Sequence, residues 1–450
     1  MNNHLPRSYL DVASGKVSWY TFKRSPKWGK AATIPLMRLL FLTPAYPPVP
    51  GGGERYVQSL AHILSQRGHQ LTVITSAAAA EADFWRGVSV AARDLPANDG
   101  VTIMRCSLRP ITGGRAALMA RRRIMAGISL LPAVPPGWLE RLARAFPPLV
   151  GLDEVLARLP IPDVVHAFNL SWEYPALAGR HYAGIHHLPY FLTPYAHIGP
   201  GVNALVARYV TMPHQRRLLA AADAILTLTE ATAAGLRDAG ISCRHLRVIG
   251  AGIDPQPPAL PPDTLTRFLL PTPFALFLGR ANADKGALDA ARAVLRLRRA
   301  GRSISLVLAG TATPEFTRFI ARLPAVDRTA IYHLGPVSET EKHALLEACA
   351  MLLLPSRTDA LGLVLLEAWQ HARPVIGARA GGIPGVIDDG ENGLLIDYGD
   401  VAGLAGAIGD LLAQPDRAGT MGEAGRRKNL TTYTWDEVAR RVEAAYALAC

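Results

Sequence analysis

Two acidic residues eight apart, Asp359 and Glu367, frame an apolar, glycine-containing interval where this chain could do chemistry. The surrounding stretch, residues 355–397, reads PSRTDALGLVLLEAWQHARPVIGARAGGIPGVIDDGENGLLID. Its pattern predicts a strand over 352–354, a helix over about 363–371, and a second strand opening at Pro374. The backbone of Gly362, Leu363 and Val364 then lies at a helix N-terminus, where exposed N–H groups favour an anion such as phosphate. Glu367, one turn further on, can accept hydrogen bonds from a pair of sugar or ribose hydroxyls. The same residues also suit a solvated acidic loop before a surface helix, so their surroundings must decide.

Those surroundings alternate strand and helix. An apolar run at 38–42 reads as a buried parallel strand, followed by the loop AYPPVPGGG and a helix from Glu54 to about Arg67. Gly68 stops that helix, and 71–75 is the next strand. The loop's glycines, Gly52 and Gly53 among them, let a ligand approach the backbone closely at the carboxyl end of a strand, where open parallel sheets bind ligands. His197 lies just past another such end, after the strand 190–193, and faces the same cleft. Residues 255–264, PQPPALPPDT, form a stiff, proline-rich linker. Beyond it the alternation restarts with a strand over 274–278, then Gly279 and Arg280, then Lys285 and a helix to about Arg298. Ser338 and Glu341 have the spacing of a capping box, as do Thr434 and Glu437 at the last helix. The fold class is therefore α/β, with two doubly wound, Rossmann-like sheets facing across a cleft.

The expected boundaries are a flexible basic extension over 1–35, a first Rossmann-like domain over 36–254, the linker, a second Rossmann-like domain over 265–430, and a C-terminal helix over 431–450 packing back toward the first domain. The extension could also be sequence ahead of the native start, because the globular pattern begins near Leu36. It has no continuous apolar segment and does not read as a secretory signal.

The 450 residues, 49% hydrophobic and 19% charged, describe a well-packed chain of at least two domains and exclude a disordered one. The net charge of +12 suits phosphate-bearing ligands or an anionic membrane surface, and no nucleic-acid module accompanies it. The four cysteines lack CxxC spacing and suggest reduced thiols of a cytoplasmic protein, with neither a zinc site nor a disulfide framework. No apolar run is long enough to span a bilayer. Between Gly113 and Val150, arginines sit beside bulky apolar residues, as they do at membrane surfaces and on ordinary amphipathic helices.

The segments PAYPPVPGGGERYVQSLAHILSQRGHQLTVIT, PYAHIG, ADAILTLTEATAAGL, LRVIGAGID, FLGRANADKG, PSRTDALGLVLLEA and GGIPGVIDDGENGLLID follow one another in order. Together they resemble the GT-B glycosyltransferases of the large retaining family 4, across most of residues 37–450. The resemblance implies a hexosyltransferase that moves a sugar from a nucleoside diphosphate, such as a UDP- or GDP-sugar, to a sugar or lipid-linked acceptor in envelope polysaccharide or glycoconjugate synthesis. It implies that Arg280 and Lys285 clamp the diphosphate and that Glu367 holds the ribose. Asp359 would contact the donor sugar, with His197 beside it. The backbone of Gly52, Gly53, Gly279, Gly362, Leu363 and Val364 would line the donor site. No metal or other cofactor is expected, and any membrane contact would be peripheral, at the inner face of the cytoplasmic membrane.

Three positions depart from the family pattern. Asp359 stands where Glu is usual, Leu361 where an aromatic is often found, and Gly385 where GGIPE would place a carboxylate. Asp359 and Gly385 keep open a sugar-nucleotide-binding protein without catalysis, and the same fold also admits a nucleotide-sugar hydrolase or epimerase. A dinucleotide oxidoreductase fits less well, because no GxGxxG fingerprint is present.

Overall fold

The strongly apolar strands of this chain are covered on both faces, as parallel sheets require. The computed structural model describes residues 9–10, 17–18, 35–90, 100–131, 134–199, 202 and 204–449. It divides into two units, residues 1–35 and 36–450. In the first unit β1 (Tyr9–Leu10) pairs antiparallel with β2 (Val17–Ser18). The flexibility expected of the rest of that extension lies outside the described residues.

The second unit holds two sheets. The first comprises β3 (Arg38–Leu42), β4 (Gln70–Ser76), β5 (Val101–Leu108), β6 (Leu149–Val150), β7 (Val164–Phe168), β8 (Tyr190–Thr193), β9 (Ala224–Thr227) and β10 (His245–Val248). Its order is β10-β9-β8-β7-β3-β4-β5-β6. All neighbours pair parallel except β6, which runs antiparallel along β5. The second sheet comprises β11 (Phe274–Leu278), β12 (Ser305–Ala309), β13 (Ile331–Gly335), β14 (Met351–Leu354), β15 (Val375–Ala378) and β16 (Leu394–Ile396). It is wholly parallel, in the order β13-β12-β11-β14-β15-β16. Both doubly wound sheets expected from the alternation are present, and each reverses strand order beside its first strand, β3 or β11. Such switch points are where ligands bind in open α/β sheets.

Each sheet has its own core. Leu40, Leu42, Ile74, Val165 and Leu192 are buried in the first, and Phe277, Val294, Leu306, Leu353 and Ile376 in the second. The helix Trp435–Tyr446 lies against the first sheet although it follows the second in sequence. Its Tyr446 hydroxyl meets His166 Nδ1 at 2.7 Å, and its Glu443 accepts from Arg67 Nε at 2.7 Å. At the proline-rich stretch, Gln370 Nε2 donates to the carbonyls of Asp254 and Gln256. The arginine-rich interval forms two helices, Gly114–Ile128 and Pro136–Ala143. Among the described residues no helix is long and apolar enough to cross a membrane.

Candidate active site

The carboxyl ends of β3 and β14 bring the two glycine-bearing loops together. After β3 the chain turns through buried Tyr46 and Val49 into helix α1 (Gly52–Gln66). A Cβ on Gly52 would lie 3.1 Å from Leu363 Cδ1, and one on Gly53 would lie 3.3 Å from the Tyr195 ring. Absent side chains thus let the start of α1 approach the helix Leu363–Gln370 of the other sheet. Gly362 caps that second helix with φ +87, a left-handed conformation, and a Cβ there would strike Leu354 at 2.7 Å. Leu363 and Val364 then open the helix, and Leu365 N donates back to the Gly362 carbonyl at 2.9 Å.

A second loop lies beneath this turn. Gly279 and Arg280 follow β11, and Lys285 precedes the helix Ala287–Arg299. Gly286 has φ +74, and its missing side chain admits the Pro355 carbonyl, 2.1 Å from where a Cβ would stand. Arg357 N donates to the Asp284 carbonyl at 2.9 Å, and the two side chains also pair, so the 279–286 and 355–362 loops are tied together. Lys285 Nζ then reaches Asp359 Oδ1 at 2.8 Å. Burial would raise the Asp359 pKa, but the Lys285 charge and hydrogen bond overcome it and hold the carboxyl below its ordinary value.

The His197 side chain is half-buried, with Nδ1 enclosed, close enough to feel both charges. Burial lowers its pKa, Lys285 lowers it further, and Asp359 opposes both. The imidazole is therefore neutral at neutral pH, and its Nδ1 has no hydrogen-bond partner. A buried ring nitrogen in that state is open to a ligand hydroxyl.

The glycines after β15 set Asp359 from behind. Gly382 N donates to the Asp359 carbonyl at 2.7 Å. A Cβ on Gly381, which has φ +58, would lie 2.5 Å from that same oxygen. Further along, a Cβ on Gly385 would lie 2.9 Å from Thr229 Cβ and 3.3 Å from Ala231 N. Gly385 thus stands where the turn Ile383–Gly385 touches the helix Glu230–Asp238 of the first sheet, and a carboxylate side chain there would part them. Leu361 is buried.

The sequence-predicted residues do not all converge. Lys285, Asp359 and His197 are neighbours, and Gly52 meets Leu363. Glu367 pairs instead with Lys342, whose Nζ lies 2.6 Å from its Oε1. Arg280 reaches across the cleft to Glu81, on the loop after β4, at 2.6 Å. Glu81, Lys342 and Arg55 (which meets Glu339 across the cleft) escaped the sequence reading, because no motif ties them to partners 199, 25 and 284 residues away. Glu54 escaped it too. It sits in the first turn of α1, where burial raises its pKa.

Residues 50–257 match the description "Glycosyltransferase Family 4", and residues 272–414 match "Glycosyl transferases group 1". Alpha-maltose-1-phosphate synthase of Mycolicibacterium smegmatis is 30% identical, over 63% of this chain and 78% of its own. The chain belongs to glycosyltransferase family 4. Glycogen synthase of Mycobacterium tuberculosis is 28% identical over 92% of this chain and 95% of its own length. Among solved structures, that of Anabaena HepE in complex with UDP-glucose superposes with TM-score 0.65 at 17% identity, over 92% of this chain and all of that one. It shows that this family 4 member has the GT-B fold. The chain is a glycosyltransferase, and its two switch points are the two walls of a GT-B cleft.

Proposed function

We propose that this glycosyltransferase moves a hexose from a nucleoside diphosphate to an acceptor hydroxyl, with retention at the anomeric carbon and without a divalent metal. The observation that carries this reading is the Lys285–Asp359 pair, set beside neutral His197 and next to the helix that Gly362 caps. Lys285 and Arg280 stand on one loop and supply the positive charge that a departing diphosphate needs. The backbone at Gly279 and at Gly362, Leu363 and Val364 receives phosphate oxygens, with Gly52 and Gly53 closing from the other wall. Asp359 and His197 take donor-sugar hydroxyls, and Glu367 takes the ribose.

Arg280 is held by Glu81, and in this reading the diphosphate displaces that carboxylate. No side chain is placed as a covalent nucleophile in this reading. The bond from the anomeric carbon to the diphosphate oxygen breaks while the acceptor oxygen attacks on the same face. The acceptor's proton passes to the leaving diphosphate, so no protein acid is needed and His197 can stay neutral.

The acceptor side of the same reading is a phosphate-bearing or lipid-linked sugar at the cytoplasmic face of a membrane. Exposed Ile124, Leu130, Leu131 and Trp138 lie among exposed Arg121, Arg123 and Arg141 on the first domain, a combination suited to anionic lipid. A panel of UDP-, GDP- and ADP-sugars tested for thermal stabilisation, followed by transfer to envelope extracts, tests the whole reading. One donor should raise the Tm and yield product with the anomeric configuration retained. Release of free sugar or of an isomer without transfer would overturn it. Flotation with anionic vesicles tests the lipid contact.

A further inference from the structure

The ribose carboxylate of this reading does not stand alone. Lys342 is buried, and its ammonium lies 2.6 Å from Glu367 Oε1 and 2.6 Å from Glu339 Oε2. Glu339 and Lys342 are one turn apart on the helix Glu339–Ala348, so they share a face. The start of that helix is fixed by the capping box between Ser338 and Glu341, which also turns the Glu341 carboxylate toward Ser338. Glu339 in turn accepts from Arg55 Nη1 at 2.5 Å. Arg55 belongs to the first turn of α1, on the opposite wall, three residues from the Gly52 that meets Leu363.

Four alternating charges therefore run from one wall of the cleft to the other: Arg55, Glu339, Lys342 and Glu367. The two inner members, Lys342 and Glu367, are 10% and 17% exposed, so solvent screens them little. The outer pair, Arg55 and Glu339, is 50% and 63% exposed and easily opened by moving the domains apart. Burial would raise the Glu339 pKa, but Lys342 and Arg55 together hold it below its ordinary value, so the carboxylate stays charged between its two cations.

We infer that Lys342 is a positioning residue for Glu367, and that Arg55 and Glu339 couple its ribose contact to closure of the cleft. This rests on the assignment of Glu367 to the ribose. When the domains close, Arg55 draws Glu339 and Lys342 into register, and the Glu367 oxygen not held by Lys342 is aimed at the hydroxyl pair. When they part, Glu339 loses its outer partner and Lys342 is shared differently between the two carboxylates. Ribose recognition thus reports the state of a contact on the far wall.

The test is the preference for ribose, measured by calorimetry as the ratio of Kd for a 2′-deoxynucleoside diphosphate to Kd for the ribonucleotide. UDP and GDP serve as probes, and the base that binds more tightly is carried forward. The wild-type ratio is expected near tenfold, on the order of one charged hydrogen bond. Lys342→Met should bring it to about one, and Lys342→Arg should restore it in part. Glu339→Gln and Arg55→Gln, both on exposed side chains, should each lower it about threefold in low salt and less at high salt. They keep the test alive should Lys342→Met fail to fold.

A wild-type ratio in Lys342→Met, or in both Glu339→Gln and Arg55→Gln, overturns the relay while leaving Glu367 in place. A wild-type ratio in Glu367→Gln overturns the ribose assignment itself, and the relay with it. A merely structural role for Lys342 would lower the Tm and leave the ratio unchanged.

Discussion

At Asp359 the side chain is one methylene shorter than the glutamate usual at this position, and Lys285 at 2.8 Å compensates by reaching to it. The carboxylate is held charged by Lys285, and in the proposed reaction it also accepts from sugar hydroxyls. Asp359→Asn is expected to lower kcat/KM about a hundredfold, whereas Asp359→Glu should keep most of the activity. Steady-state rates with the identified donor check this. Arg280 illustrates a different balance. Its pair with Glu81 is 44% and 49% exposed, and such pairs contribute roughly 0–1 kcal/mol. Glu81→Gln should therefore tighten donor binding by no more than about fivefold at low salt, read by calorimetry. Asp359 and Glu367 were legible in the sequence as a spaced acidic pair and Arg280 and Lys285 through the family resemblance, and the structure joins only Lys285 to Asp359. The partners Glu81 and Lys342 were not legible, because an ion pair between distant segments leaves no periodic trace.

Among the elements, the contact between the turn Ile383–Gly385 and the helix Glu230–Asp238 explains a departure that the sequence could only register. Gly385 lacks a carboxylate because the two walls touch there, with only 2.9 Å between a would-be Cβ and Thr229. Gly385→Glu should wedge them apart, costing about 1–3 kcal/mol and lowering Tm by at least roughly 2 °C in a calorimetric scan. Gly385→Ala should do the same to a smaller degree. Most strands were legible from apolar runs of four or five residues ending in Gly, Thr or Pro. The two-residue β6 was not, because Leu149 and Val150 carry too short a pattern to register as an element and are held by antiparallel pairing with β5. The arginine-rich helices were legible as amphipathic but not in orientation, since the sequence alone does not tell an exposed Trp138 from a buried one.

For the molecule as a whole, the helix Trp435–Tyr446 makes stability depend on acid. His166 is enclosed between the Tyr446 hydroxyl and the Thr193 hydroxyl, and burial lowers its pKa to about 3. Burial would raise the Glu443 pKa, but hydrogen bonds from His69 and Arg67 bring it down to about 2. Both folded values lie below the ordinary ones, 6.5 and 4.5, so both groups stabilise the fold above those values and lose that contribution as pH falls. The Tm should decline first below pH 6.5, as protons bind His166 more readily in the unfolded chain, and more steeply below pH 4.5. In His166→Phe the first decline should become shallower, the rest of it coming from His371, His343 and His197, whose pKa burial also lowers, while the second remains. Melting curves between pH 7 and pH 3 measure both limbs.

What joins these scales is the claim that Lys285, braced by Asp359, holds the donor diphosphate in the cleft. Calorimetric binding of the stabilising nucleotide-sugar to Lys285→Ala tests it most directly, with the apo Tm as the control for folding. We expect an unchanged apo fold and a Kd at least about tenfold weaker than that of the wild type. A wild-type Kd in the folded variant would contradict the claim.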